Sequence, residues 1–419
     1  MSDMETREVK LGNIVKHNKG YAFKSSEYTD KGVMVVRVTD FTLDSISDAD
    51  AVYLAPDDRY DKFILKTNDI LIQTVGSWAN NPNSIVGKVV RVPKQCDNAY
   101  LNQNIVRIIP NNDLDNTYLF YALKANHFST YCVLRGQGAA NQASITLDTI
   151  FRFKFKAHNF TAQQRIAGIL SAYDNLIENN NKRIHLLEQM AENLYKEWFV
   201  RFRFPGYEDV EFIDGFPKNW EKVKLDDVLN KIATGLNPRK NFVLGEGENF
   251  YVTIKNMADN TVYLDNKCDK VNDDAIIKIN KRSDLKIGDL LFSGIGTIGR
   301  VCLIDIPTNN WNISESVFTM RANKKISSEF LYMLLLSQDV QNYCQSKANG
   351  SAQKGIRMGD LRKYTFLLPQ ITTKNVINDF TNQISPILRN VSLLRNENKN
   401  LIQQRDMLLP RLMSGKLEV

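Results

Sequence analysis

The sequence has few cysteines, and they form no pattern. Five cysteines are scattered over 419 residues, odd in number and never in CxxC spacing. This usage favours reduced thiols in a cytoplasmic protein over a disulfide framework or a zinc site. The first residues contain no apolar run, so we expect no signal peptide. The longest aliphatic stretch, around residues 334–336, is too short to span a bilayer.

Recognisable catalytic motifs are also missing. The chain has no Walker A sequence, no HExxH, no nucleophile elbow and no Asx-Pro-Pro-aromatic tetrapeptide of the amino-methyltransferase type. Its four histidines have no metal-ligand spacing. Residues 294–299 match GxGxxG, but a β-branched stretch follows them where a dinucleotide site needs a helix, so they predict a turn. The sequence therefore indicates a binding protein without a metal site.

Composition is compatible with a polyanionic partner. The net charge is +7 and hydrophobic residues make up 43% of the chain. The hydrophobic content is sufficient for real cores, and the length suits two or three domains. The positive excess favours a partner such as nucleic acid but does not prove one.

The chain is duplicated. Short segments recur in the same order in both halves, over a distance far longer than the roughly 20–50 residues of solenoid repeats. The recurring pairs are residues 9–11 and 223–225, 65–71 and 285–291, and 142–145 and 353–356. Each copy is therefore a whole domain, and the two copies should present two similar surfaces.

Each copy predicts a strand-dominated globule followed by a long helix. Strands are expected at residues 33–38, 69–73 and 86–90, and a helix at 118–126. The predicted segments are a first domain at 1–157, a heptad helix at 158–205, a linker at 206–221, a second domain at 222–368 and a second heptad helix at 369–416.

Apolar residues alternate in steps of three and four along both long helices, which is typical of a coiled coil. The predicted seam consists of Ile166, Leu170, Tyr173, Ile177, Ile184, Leu187, Leu194, Ile384, Val391, Leu394, Leu401 and Leu408. Asn180 and Asn398 also lie on the seam and could fix its register. Thr161 is the expected N-cap of the first helix, and Pro386 should kink or restart the second.

Two arrangements of these helices are open from the residues alone. Antiparallel pairing within the chain would put one domain at each end of a rod, and parallel pairing would put both at one end. A coiled coil between two chains is the alternative to both. Each helix has an equivalent partner in the same chain, which favours pairing within the chain.

Polar, cation-bearing loops recur at matching places in the two copies. Arg, Gln and Asn make bidentate contacts to guanine and adenine edges, and glycines let the backbone approach phosphate. The predicted DNA-binding residues are Gln73, Ser77, Asn81, Asn104, Arg135, Gln137, Asn141, Gln142, Ser293, Thr297, Arg300, Lys347, Asn349, Gln353, Lys354 and Arg357. An ordinary solvated loop remains the alternative for any single residue among them.

The helices resemble those of type I restriction-modification specificity subunits. Residues 164–180, from Gln-Arg-Ile-Ala to Glu-Asn-Asn, and residues 186–199, ending in Trp-Phe, look like that family's central region. Residues 408–417, Leu-Leu-Pro-Arg-Leu-Met-Ser-Gly-Lys-Leu, look like its C-terminal ending. Residues 214–225, with Pro217 and Trp220, resemble its domain-opening motif, and residues 285–300 its recognition core.

This resemblance implies an α+β fold with two target-recognition domains joined by two long antiparallel coiled-coil helices in an internal pseudo-twofold repeat. Each domain would read one half of a split site in double-stranded DNA, with the helices as a ruler between them. It also implies two methyltransferase (modification) subunits that bring S-adenosylmethionine, and restriction subunits that bring ATP and magnesium. The chain itself would carry no cofactor.

Geometry leads to a similar expectation. From Ile166 to Trp198 a helix spans roughly 50 Å, which matches half-sites roughly 10–14 base pairs apart. The two domains differ in loop sequence, so the target should be asymmetric. A self-contained enzyme and a coiled-coil scaffold without sequence-specific DNA binding are the rival functions. The first lacks a motif, and the second leaves the paired cationic loops unexplained.

Overall fold

The computed structural model describes residues 6–42, 44–78, 84–125, 127–138, 142–350, 354–370 and 376–419. The chain divides into two compact units. Unit 1 comprises Met1–Asn179 and Glu397–Val419, and unit 2 comprises Asn180–Asn396. Each long helix therefore contributes to both units. The sequence predicts a different division into five segments, in which each long helix is a segment of its own.

Unit 1 contains a strand-dominated domain and the beginning of a long helix. Its strands are β1 (Thr6–Lys10), β2 (Val15–Lys19), β3 (Val33–Val36), β4 (Val52–Leu54), β5 (Ile70–Gln73), β6 (Val75–Gly76), β7 (Val89–Arg91), β8 (Tyr100–Leu101), β9 (Ile105–Pro110), β10 (Ala143–Ser144) and β11 (Lys154–His158). Its helices are α1 (Leu11–Ile14), α2 (Asn116–Ala125), α3 (Phe128–Arg135), α4 (Leu147–Phe151) and α5 (Phe160–Tyr195), the last continuing into unit 2.

Unit 2 repeats this plan. Its strands are β12 (Phe212–Ile213), β13 (Phe216–Pro217), β14 (Trp220–Lys224), β15 (Leu229–Thr234), β16 (Asn249–Val252), β17 (Met257–Ala258), β18 (Thr261–Val262), β19 (Asp269–Val271), β20 (Leu290–Ser293), β21 (Val301–Leu303), β22 (Trp311–Ile313), β23 (Val317–Ala322) and β24 (Thr365–Pro369). Its helices are α6 (Asp273–Asn280), α7 (Ser328–Leu336), α8 (Gln338–Lys347), α9 (Met358–Leu361) and α10 (Val376–Met413), the last continuing into unit 1.

The sheets confirm the duplication. The first domain has a four-stranded sheet in the order β2-β9-β5-β7, and the second has β15-β23-β20-β21. Three-stranded sheets follow the same rule, with β4-β3-β8 in one domain and β19-β16-β22 in the other. In each three-stranded sheet the central strand has one antiparallel and one parallel neighbour. The GxGxxG segment precedes strand β21, so it forms a turn between strands as predicted.

The two long helices are antiparallel. In unit 1, Ile166 near the start of α5 shares a core cluster with Leu412 near the end of α10. In unit 2, Ile184 packs with Leu394, while Phe199, just beyond the end of α5, packs against Phe380 near the start of α10. Contacts therefore move towards the start of α10 as they move towards the end of α5. This confirms the antiparallel arrangement within the chain.

The seam residues predicted from the heptads face inward. Ile166, Leu170, Ile184, Ile384, Val391 and Leu394 are buried, and Tyr173, Ile177, Leu187, Leu194, Leu401 and Leu408 are half-buried. The seam residues Asn180 and Asn398 are buried as well. Burial of this stripe gives each helix an apolar stabilisation that local helix propensity alone does not supply.

Two local predictions about the helices are corrected. The N-cap of α5 is Asn159 rather than Thr161, because the Asn159 Oδ1 accepts a hydrogen bond from Ala162 N at 2.9 Å. Helix α10 is one element through Pro386 and does not restart there. Ile384 on the preceding turn is fully buried, so packing offsets the one backbone hydrogen bond that proline removes.

Candidate DNA interface

Three loops that the sequence singled out separately lie together in the first domain. Thr74 is at their centre: its N–H donates to Asn104 O at 2.9 Å, and its own carbonyl accepts from Ile145 N at 2.9 Å. Strand β6 pairs with β10, and Gln137 and Ser144 exchange two backbone hydrogen bonds of 2.8 Å. The loops around residues 73–78, 102–104 and the described parts of 135–146 therefore form one surface, which we call the first loop cluster.

The second domain has the same backbone frame. Gly294 takes the place of Thr74: its N–H donates to Ser316 O at 2.9 Å, and its carbonyl accepts from Ile356 N at 2.8 Å. Asn349 and Gly355 exchange two backbone hydrogen bonds of 2.9 Å, as Gln137 and Ser144 do in the first domain. Residues 293–300, 314–316 and the described part of 347–357 thus form the second loop cluster.

One glycine closes the first loop of each cluster. Gly87 and Gly299 have φ values of +80° and +93°, a region that side chains rarely adopt. A Cβ on Gly87 would lie 2.3 Å from the Cβ of Cys132 in α3, and one on Gly299 would lie 2.0 Å from Oε1 of Gln341 in α8. Each glycine therefore allows its loop to approach the neighbouring helix closely.

Each cluster carries a cation held by a tyrosine. The Arg135 guanidinium lies 4.1 Å from the centre of the Tyr131 ring, and the Lys347 ammonium lies 5.9 Å from the Tyr343 ring. Both tyrosine hydroxyls donate to backbone carbonyls, at 2.9 Å and 2.8 Å. Burial raises the pKa of both phenols, so they stay neutral under the positive groups. The two exposed cations are thereby positioned at equivalent places.

Most of the predicted DNA-binding residues that the structure describes reach solvent. Gln137, Gln142, Thr297, Asn349, Lys354 and Arg357 are exposed, together with Arg135 and Lys347, and Ser77 and Asn104 are half-buried. Arg300 is half-buried, and its Nη1 donates to the Ile254 carbonyl at 3.0 Å, which turns part of its guanidinium towards its own domain. Asn81, Asn141 and Gln353 lie outside the described residues.

Two of the predicted DNA contacts are corrected. Gln73 and Ser293 are fully buried. Gln73 Nε2 donates to Val75 O at 2.9 Å and to Ser84 O at 3.1 Å. Ser293 Oγ accepts from Arg300 N at 2.8 Å and donates to Thr297 O. Both side chains form hydrogen bonds to the first loop of their cluster from its buried side, so neither is exposed on the surface of the cluster. Each of the two residues is the last residue of a continuous apolar strand, and this position in the sequence already indicated a buried side chain.

A fourth loop that the sequence reasoning passed over joins each cluster. Gly20 N donates to Ile105 O at 3.1 Å in the first domain, and Gly235 N donates to Ser314 O at 3.2 Å in the second. Exposed cations follow each glycine, Lys24 in one domain and Arg239 and Lys240 in the other. The available signal was the recurrence of a glycine followed within a few residues by Lys or Arg.

The comparisons with known proteins agree on one family. The family model for the type I restriction modification DNA specificity domain matches residues 1–189 and again 217–403. The MjaIX specificity subunit of Methanocaldococcus jannaschii is 25% identical over 76% of this chain and 73% of its own length. The HindI specificity subunit of Haemophilus influenzae is 24% identical over 85% of this chain and 88% of its own length. The chain belongs to the type I restriction-modification DNA specificity family.

A solved structure shares the fold. The crystal structure of the type I restriction-modification system S subunit from M. genitalium superposes with a TM-score of 0.59 at 15% identity, over 98% of this chain and 97% of the other. In the part of the chain that the structure describes, none of the helices is long and apolar enough to cross a membrane.

Proposed function

We propose that this chain is the DNA sequence-recognition subunit of a type I restriction-modification enzyme. It binds an asymmetric, bipartite target, and each recognition domain reads one half-site. The observation that supports this most strongly is the pair of loop clusters. A shared core of backbone hydrogen bonds presents different exposed side chains in the two domains. A split target with unequal halves requires two domains that dock on DNA in the same way but contact the bases with different side chains.

Affinity and sequence choice are divided among the side chains of each cluster. Cations such as Arg135, Lys347, Lys354 and Arg357 neutralise phosphates, which gives strong and salt-dependent binding. Exposed amides, such as Gln137, Gln142 and Asn349, offer a donor and an acceptor to base edges. The backbone frame and the buried Gln73 and Ser293 hold these groups in place.

The long helices set the spacer and dock the partner subunits. Helices α5 and α10 contain 36 and 38 residues, so each spans roughly 55 Å at about 1.5 Å per residue. The chain itself catalyses nothing in this proposal. Two modification subunits supply S-adenosylmethionine, restriction subunits supply ATP and magnesium, and the enzyme works in the cytoplasm.

The test is modified-base mapping across the genome of a methylation-free host that expresses the chain with its modification subunit. A single split motif with a fixed gap and unequal halves is the expected result. A soluble complex that modifies no motif would contradict the proposal and favour a scaffold role. Purified chain alone should neither methylate nor cut DNA, and activity without partners would contradict the assignment as a subunit without catalysis.

A further inference from the structure

One carboxylate stands among the cations of the second loop cluster. Glu315 is half-buried between Ser314 and Ser316, in the short loop whose carbonyl at Ser316 accepts from Gly294. Its Oε1 accepts a hydrogen bond from Asn237 Nδ2 at 2.6 Å. The side chain is therefore held in one orientation within the surface proposed to meet DNA.

The other carboxylate oxygen keeps acceptor capacity. The Tyr251 hydroxyl lies 2.7 Å from the Leu236 carbonyl and 3.3 Å from Glu315 Oε2, and it can donate its one proton to either. A carboxylate oxygen has two lone pairs, so Oε2 can accept a further hydrogen bond in both cases. Among the described residues, none of the Lys or Arg side chains lies within ion-pair distance of Glu315. A carboxylate that meets a polyanion without a cation is repelled unless it accepts hydrogen bonds from the ligand.

Base edges differ in what they offer to an acceptor. In the major groove cytosine presents the N4 amino group, whereas guanine presents two acceptors and thymine an acceptor and a methyl group. Adenine presents an amino group beside the N7 acceptor, which a carboxylate cannot satisfy. Accepting from cytosine N4 is therefore the readout that best fits an ionised Glu.

We propose that Glu315 is a specificity-determining residue that selects cytosine at one position of the half-site read by the second domain. This inference rests on the proposed DNA-recognition function. It adds a reader that the matched loops alone did not identify, because the residue is acidic in a cationic surface.

The equivalent residue of the first domain has different chemistry. Gln103 occupies the matching place: the preceding Asn102 N donates to Val36 O at 3.2 Å, as Ser314 N donates to Val252 O at 2.9 Å. Gln103 is exposed, and its amide can both donate and accept, which suits the bidentate contact to adenine. One position of the frame therefore carries two different readers, as an asymmetric target requires.

Glu315 could instead serve only as a support for the loop that begins at Asn237. The two roles predict different outcomes. A support changes how well the complex modifies DNA without changing which bases it chooses. A reader changes one position of one half-site and leaves the other half-site and the spacer as they were.

The test compares modified-base maps of the wild-type complex and of the complex with Glu315→Gln. The substitution keeps the size and an oxygen for Asn237, and adds amide donors. Preference for cytosine at one position should fall about tenfold, with a shift towards adenine. An unchanged motif in Glu315→Gln, or a wild-type A·T pair at the altered position, would overturn the inference.

Controls separate folding and charge from base choice. Glu221→Gln removes the same charge from an exposed position of strand β14 and should leave the motif unchanged. The reciprocal Gln103→Glu should raise cytosine preference at one position of the other half-site. If Gln103→Glu alters neither half-site, the inference fails even where Glu315→Gln does not fold. A wild-type complex without any motif would instead be a failure of the proposed function.

Discussion

The two domains share a backbone frame but meet the long helices through different chemistry. In unit 1, the Arg405 guanidinium of α10 is only 7% exposed and contacts Asp174 of α5 at 2.7 Å and Asp44 of the first domain at 3.1 Å. Tyr121 and Arg91 of the same domain also contact Asp174, and Lys124 contacts Asp44. These six residues form what we call the unit 1 charge network.

In unit 2, aromatic rings connect the long helices to the second domain. Phe199, just beyond the end of α5, lies 4.8 Å from Phe330 of the second domain and 4.9 Å from Phe380 of α10, measured between ring centres. Elsewhere in unit 2 the Arg395–Glu188 pair joins the helices at 2.5 Å but is more exposed than Arg405. Unit 1 thus has a buried charged contact between helices and domain, where unit 2 has an aromatic one. The charged junction should respond to pH and to loss of one partner, and the aromatic one to loss of volume.

The largest effect is expected for Phe380→Ala. Phe380 is fully buried, and its removal leaves a cavity among Phe199, Phe330 and Trp198. Such changes lower the free energy of unfolding by about 3–5 kcal/mol. Tryptophan fluorescence during urea denaturation measures this directly, since three of the four tryptophans, Trp198, Trp220 and Trp311, lie in unit 2. A loss below about 1 kcal/mol would mean that the junction is loosely packed.

Arg405→Met should cost nearly as much in unit 1. It leaves Asp44 and Asp174 partly buried with fewer cations, and breaking a buried pair costs about 3–5 kcal/mol. We expect about 3 kcal/mol, at the lower end, because Lys124 and Arg91 remain. Hydrogen exchange in α2 reports this loss. Arg152→Met is the matched control, because its pair with Asp148 is exposed and is expected to contribute below about 1 kcal/mol. Equal effects of the two variants would contradict the importance of burial.

The loop glycines should differ in the opposite direction, with the larger loss of stability in unit 1. Gly87→Ala sets a Cβ against the backbone-proximal Cβ of Cys132, which cannot move without shifting α3. Gly299→Ala meets the flexible end of Gln341, which can rotate away. We expect losses of about 2–3 kcal/mol for the first and about 1–2 kcal/mol for the second. Thermal unfolding of the two variants in parallel tests this order, and the reverse order would contradict the steric difference between Cys132 and Gln341.

Acid should weaken unit 1 through the charge network. Burial alone would raise the pKa of Asp44, but Lys124 and Arg405 outweigh burial and hold that pKa below its usual value. The folded-state pKa is thus lower than the unfolded-state value of about 3.9. The stabilisation is present above that value and is lost as pH falls through the folded-state pKa. Asp44→Asn should flatten the decline in stability of unit 1 below about pH 4. An unchanged pH profile would contradict the network's contribution.

The sequence predicted repetitive features better than single side chains. The seam of α5 and α10 was predictable because each heptad repeats the same packing requirement. The matching loops were predictable because similar loop sequences occur in both halves of the chain. The capping-box spacing predicts Thr161 as the N-cap, whereas Asn159, two residues earlier, makes the hydrogen bond. The loop pattern predicts Gln73 and Ser293 as DNA contacts, because composition cannot tell whether a polar residue at a strand end turns inward.

The junction chemistry was beyond prediction for a related reason. Arg405 is a charged residue of α10, and only the fold shows that Asp44 and Asp174, far away in the chain, surround it. The orientation of the Glu315 carboxylate likewise depends on Asn237, which lies 78 residues earlier in the sequence and is brought beside it by the fold. Contacts of this kind depend on tertiary structure and leave no local pattern.

The central claim is that the loop clusters read the half-sites while the helices set their spacing. The most direct measurement removes one heptad from each of α5 and α10 at facing positions and maps the modified bases. Seven residues shorten a helix by about 10 Å, which corresponds to about three base pairs at 3.4 Å each. The spacer should become shorter while both half-site sequences stay the same. Altered half-sites with an unchanged spacer would contradict the claim.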